Sequence, residues 1–177
     1  MNLIRNREEG LTLVEILAVV AVMGVVIAIA GSISGEFAER RSVDRVTTAI
    51  SSTLYISKLR AMRQGLEYQT ILTYDPVGRT LAIVTQRGDS NKKSNNYVEL
   101  TSQTIKVRQG ITVTPLNKTY NFNPNGTLGG SSGTVTIRPE DGARINRCGR
   151  ITVSPFGRIR VIQGNWNKGN SVCQPIN

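Results

Sequence analysis

Residues 8–31 read EEGLTLVEILAVVAVMGVVIAIAG. From position 11 to position 30 every residue is apolar, threonine or glycine except Glu15. A run of about 20 such residues is long enough for a helix that crosses a bilayer. The polar residues ahead of it include Arg5 and Arg7, and positive charge before a span holds that end in the cytoplasm. Glu15 is the anomaly. A carboxylate among hydrocarbon is costly, so it marks a functional position that needs a partner.

Two kinds of processing compete for this segment. A secretory signal peptide would be cut after the small-residue pattern AIA at 28–30. Its apolar region is usually only 7–15 residues long, and cleavage there would discard Glu15. The alternative is cleavage before the run. The string G-LTLVE, with Gly10, Leu11 and Glu15, resembles the type IV prepilin signal, in which Leu11 stands where Phe is usual. That resemblance implies a prepilin peptidase that cuts after Gly10 and N-methylates Leu11. It also implies the missing partner: in the filaments of this family the glutamate meets the N-terminal ammonium of a neighbouring subunit. Two buried charges, each disfavoured alone, become tolerable together, and removing one costs about 3–5 kcal/mol. Glu15 is therefore expected to register subunits during assembly.

Composition narrows the classes. The chain has 177 residues, with 22 Lys and Arg against 12 Asp and Glu, a net charge of +10. That length suits one modest domain plus one extra element. The charge points to an anionic partner such as nucleic acid, lipid or an acidic protein, or to a basic but otherwise ordinary surface. There is no His, which removes the commonest general base and metal ligand. Cys148 and Cys173 are the two cysteines. They make a poor zinc site, which wants four N or S ligands. In an exported chain they read as one disulfide, with a reduced buried pair as the alternative. No Ser or Cys nucleophile sits beside a base and no carboxylates are paired in the β region, so an enzyme is disfavoured, and no metal or cofactor is expected.

Past the apolar run, Phe37, Val43, Val46, Ile50, Leu54 and Leu59 lie near one face of a helix. Glu39, Arg40, Arg41, Asp44 and Arg45 crowd the other side. Lys58, Arg60 and Arg63 precede Gly65, a C-cap candidate. A continuous helix from 11 to about 64 would be roughly 80 Å long, far too long for a small globule; half must sit in lipid or a filament core. Gly24, Gly31 and Gly35 are the points where it could bend. After Gly65 the apolar period becomes two. YQTILTYD, the turn PVGR and TLAIVTQ read as a hairpin. GDSNKKSNN is a loop, YVELTSQTIKV and GITVTPL are strands, NFNPNGTLGGSSG is a turn-rich connection, and TVTIRP, RITVSP and RIRVIQG are further strands. The expected fold class is α+β, a long N-terminal helix laid on an antiparallel sheet. The expected divisions are a leader at 1–10, a membrane or filament-core helix at 11–35, and a globular part at 36–177 comprising an amphipathic helix at 36–64 and a β-rich region at 66–177.

This order resembles the GspH/FimT group of minor pilins and pseudopilins. LRAMRQGLEYQTILTYD is similar to that group's passage from long helix to first strand, and FNPNGTL, GTVTI and ITVSPFGRIRV to its later strands. The resemblance implies a type IV pilin-like fold. It implies a minor pilin that primes assembly and sits at the filament tip, in the inner membrane before assembly and on the cell surface after it, with other pilins as partners. Some members bind DNA for natural transformation through a C-terminal Gly-Arg-x-Arg element. The alternative within the group is a pseudopilin of a type II secretion system with no DNA role.

The C-terminal residues carry that element. From position 138 onward Arg138, Arg144, Arg147, Arg150, Arg158, Arg160 and Lys168 face only Glu140 and Asp141, a net +5 that is half the charge of the chain. Arg is the better phosphate partner because its planar fork donates two bonds. In FGRIRV a strand puts Arg158 and Arg160 on one face and Ile159 on the other, and Gly157 permits a turn or a close backbone approach. The DNA-contact set is accordingly Gly157, Arg158, Arg160, Arg144, Arg147, Arg150 and Lys168. The competing reading is a solvated face that pairs with neighbouring subunits. Trp166 falls in GNWNKGN, read as a loop, either stacking on a base or anchoring the packing. A Cys148–Cys173 bond would enclose the Gly-Arg-x-Arg element, stabilise by roughly 3 kcal/mol, and pre-organise the arginine pair.

Overall fold

The computed structural model describes residues 12–130 and 132–175, with backbone alone for 28–34. The element order is α1 (Leu13–Gln64), β1 (Tyr68–Asp75), β2 (Thr80–Gly88), β3 (Tyr97–Lys106), β4 (Ile111–Thr114), β5 (Asn117–Phe122), β6 (Gly133–Pro139), β7 (Arg147–Val153), β8 (Ile159–Asn167) and β9 (Val172–Pro175). This is the α+β class expected, with every named strand pairing antiparallel. Contacts divide the chain into two units, Met1–Phe37 and Ala38–Asn177.

In the first unit the helix is apolar on every side from Leu13 to Ile27 apart from Glu15. Every described side chain from Thr12 to Ile27 is exposed. Its backbone stays helical through Gly24, Gly31 and Gly35, so none of the three glycines breaks it. Among the described residues no helix is long and apolar enough to cross a membrane; the part of the expected span at 28–34 lies outside the described side chains.

The second unit holds the core. From α1, Val43, Val46, Ile50, Leu54 and Ala61 are buried, at the three- and four-residue steps that keep one helix face inward. Phe37 and Leu59 were expected in this stripe, but they are 57% and 55% exposed. Leu59 lies five positions past Leu54, which rotates it off the face, and Ser57 and Ala61 take the buried positions.

The strands form two sheets rather than the single one expected, in the orders β3-β2-β1-β5 and β4-β6-β7-β8-β9. Tyr68, Leu72, Tyr74, Leu81, Ile83, Tyr120 and Phe122 face the core from the first; Val135, Ile137, Ile151, Val153 and Ile159 face it from the second. The PVGR turn appears as expected, with Asp75 Oδ1 accepting a hydrogen bond from Val77 N at 2.9 Å. Two strands, β5 and β9, are additional to those expected. β5 pairs with β1, although NKTYNF is mostly polar; its inward residues Tyr120 and Phe122 are fully buried. β9 pairs with β8 from Asn167↔Val172 to Gly164↔Pro175.

Candidate functional site

The expected functional residues fall in two regions. Of the first, Gly10 and Leu11 lie outside the described residues. Glu15 is in the first turn of α1, exposed. Its amide donates to the Thr12 carbonyl at 3.0 Å, so Thr12 opens the helix.

The second region is built on the β7–β8 hairpin. Val153↔Ile159 is its last pair, and Thr152↔Arg160 and Arg150↔Ile162 follow. Ser154 and Arg158 close the turn: Ser154 N donates to Arg158 O at 3.0 Å, and Arg158 N donates to Ser154 Oγ at 3.1 Å. Gly157 N donates back to Ser154 O at 2.9 Å. Gly157 is buried with φ +71°, in the left-handed region. A Cβ there would drive into the Gly126 carbonyl, so glycine is required twice over.

The helix grips this turn from below. Lys58 Nζ donates to Gly157 O at 2.9 Å, and Tyr55 OH donates to Ile159 O at 3.0 Å. The 123–130 loop adds Leu128 N to Pro155 O at 3.0 Å. Arg158 lies just before β8 rather than in it, and Arg160 within it. Both are exposed, while Ile159 between them is buried. The alternation expected of GRIR is therefore present.

Register decides which other cations join them. Directly paired residues on antiparallel strands share a face. Thr152↔Arg160, Arg150↔Ile162 and Thr136↔Arg150 thus lie on the face turned away from the core. Arg138, two positions after Thr136 on β6, lies there too. Its guanidinium sits 5.6 Å from the centroid of the Trp166 ring, within cation–π range. Trp166 is not in a loop as read from GNWNKGN: it is in β8, paired with Cys173. Arg138 is outside the contact set expected from sequence. The signal for it was the alternation in TVTIRP, which puts Thr134, Thr136 and Arg138 on one side.

Arg144 and Arg147 do not join this face. They line a cleft with Arg40, Asp44, Asn146 and Asn165, where Arg147 Nε bonds Asp44 Oδ1 at 3.0 Å. Lys168 is exposed in the turn between β8 and β9, where Asn167 Oδ1 accepts from Gly169 N at 3.0 Å. The expected set therefore divides among three places.

The disulfide joins Cys148 of β7 to Cys173 of β9, with Cα atoms 5.8 Å apart. It lies at the far end of β8 from Arg160. The turn that carries the arginine pair is itself held by hydrogen bonds from Tyr55, Lys58 and Leu128. Among the described residues no cluster of His, Cys, Asp or Glu could hold a metal. From Gly142 to the C-terminus the chain contains no acid. What the hairpin can do chemically is attract and hold anions.

Comparison with known proteins adds to this geometry. Residues 5–31 match the family model described as the prokaryotic N-terminal methylation motif. No curated protein matches the chain in sequence. The chain is similar in structure to the type IV minor pilin FimU of Pseudomonas aeruginosa: 18% identity over 71% of this chain and 91% of that one, TM-score 0.50. The minor pseudopilin EpsH from the type 2 secretion system of Vibrio cholerae shows 13% identity over 69% of this chain and 97% of that one, TM-score 0.48. The prokaryotic N-terminal methylation motif is thus followed by an α+β fold similar to that of a solved type IV minor pilin.

Proposed function

We propose that this chain is a minor pilin that enters a type IV pilus by its N-terminal helix and captures DNA near the filament tip through the β7–β8 hairpin. In this reading a prepilin peptidase cuts after Gly10 and methylates Leu11. Residues 11–35 anchor the subunit in the inner membrane and then pack among other pilins, while 36–177 stands outside the membrane. The described apolar side chains from Leu13 to Ile27, all exposed in the single chain, need such an apolar surround. Glu15 pairs with the ammonium of a neighbour and sets the register of entry. The protein has no catalytic role.

The observation that carries the DNA part is the clamped hairpin, which holds Arg158 and Arg160 exposed in an acid-free stretch. Contacts of this kind neutralise phosphates and release counterions, so binding ignores sequence and falls steeply with salt. The test is a salt series with the full chain in a non-ionic detergent and duplex DNA of two unrelated sequences. Wild type is expected to bind both alike. Arg158→Ala and Arg160→Ala each flatten the plot of log affinity against log salt by about one unit. Unchanged affinity in both variants would remove the hairpin from the reading. Failure of wild type to bind either duplex would favour the alternative reading, a pseudopilin of a type II secretion system with no DNA role.

A further inference from the structure

Phe156 stands at the tip of the same hairpin and is 82% exposed. Neither the motif nor the fold explains a phenyl ring held in water there. The turn cannot turn it inward: Ser154, Gly157 and Arg158 are tied to one another by three hydrogen bonds. Gly157 is packed against the Gly126 carbonyl, and Pro155 O is held by Leu128 N. The ring is two residues from Arg158 and four from Arg160, both exposed, with Lys58 bonded to the turn beneath it.

We propose that Phe156 is a stacking platform for unpaired bases, so that the hairpin tip binds single-stranded nucleic acid in preference to continuous duplex. The inference rests on the DNA reading above and names its substrate class. Aromatic rings beside cationic side chains are the two components by which single strands are held: the cations follow the phosphates and the ring takes a base face. A duplex hides those faces in its stack and offers the tip only phosphates. The exposed apolar side chains of Leu59 and Met62 on α1, 55% and 49% exposed, suit a protein neighbour instead. Phe156 differs from them in presenting an aromatic face that a base can stack on, and no acidic residue follows Asp141.

The test uses the full chain in a non-ionic detergent. Fluorescence anisotropy is read with a labelled oligothymidine single strand and a blunt duplex of equal length. Wild type is expected to bind the single strand more tightly. Phe156→Ala lowers that affinity about tenfold to a hundredfold, with duplex affinity and salt slope unchanged, and Phe156→Trp restores it. The inference is overturned if Phe156→Ala binds both probes as wild type does, which leaves the DNA reading standing. It is overturned equally if that variant binds normally but fails to enter filaments, which assigns Phe156 to a subunit contact. If wild type binds neither probe, the inference and the DNA reading fall together.

Discussion

Gly157 shows how much one residue can decide. Its φ of +71° costs a side-chain-bearing residue about 1–2 kcal/mol, and the Gly126 carbonyl leaves no space for a Cβ. Gly157→Ala is therefore expected to lower stability by about 2 kcal/mol or more and to displace Arg158. Gly130→Ala, where nothing lies within 4 Å, is the control. Thermal unfolding of the two separates them, and equal melting temperatures would refute the clamp. Glu15 poses the opposite problem: it is exposed in the single chain, so in the proposed reading its partner belongs to another subunit. Glu15→Ala is expected to be cleaved and membrane-inserted normally yet to be poorly incorporated into filaments. Quantifying the variant in sheared filaments against whole membranes checks this, and normal incorporation would remove the role.

At the scale of the element, β8 joins the clamped turn at one end to the disulfide at the other. Ile159 begins it under the grip of Tyr55, and Trp166, next to its last residue, pairs with Cys173 of the disulfide. Gly164 lets β9 approach closely, because a Cβ there would meet the Gln174 carbonyl. Closing the 25-position loop between Cys148 and Cys173 stabilises the fold by about 3 kcal/mol in the chain-entropy model. Reduction is expected to lower the melting temperature and to speed amide exchange in β9 first. Affinity for duplex DNA should hold, since Lys58 and Tyr55 keep the turn in place. A loss of duplex binding in reduced, folded protein would show that the hairpin depends on the disulfide after all.

For the whole molecule, stability is concentrated in the unit Ala38–Asn177, to which every buried core residue belongs among those described. Tyr120 ties that core to alkaline pH. Burial pushes its phenol up to about 12, and its hydroxyl has no hydrogen-bond partner among the described residues. Below about pH 10 the phenol is neutral in the folded and unfolded chain alike, and its contribution is fully present. Between about pH 10 and 12 the unfolded chain ionises first, and stability on the order of 2 kcal/mol is lost. Tyr120→Phe should remove that part of the alkaline loss without destabilising the protein at neutral pH; chemical denaturation at pH 7 and pH 11 reads both. By itself the sequence determined the processing motif, the change from helical to alternating period at Gly65, the first hairpin and the Gly-Arg-x-Arg element, because each is written in residues close together in the chain. Only the tertiary structure decided that there are two sheets, that the polar segment NKTYNF pairs with β1, that Trp166 is in a strand, and that Arg138 joins the exposed face while Arg147 turns to Asp44. Those outcomes depend on register between strands distant in sequence, and a slip of one residue sends every side chain to the opposite face.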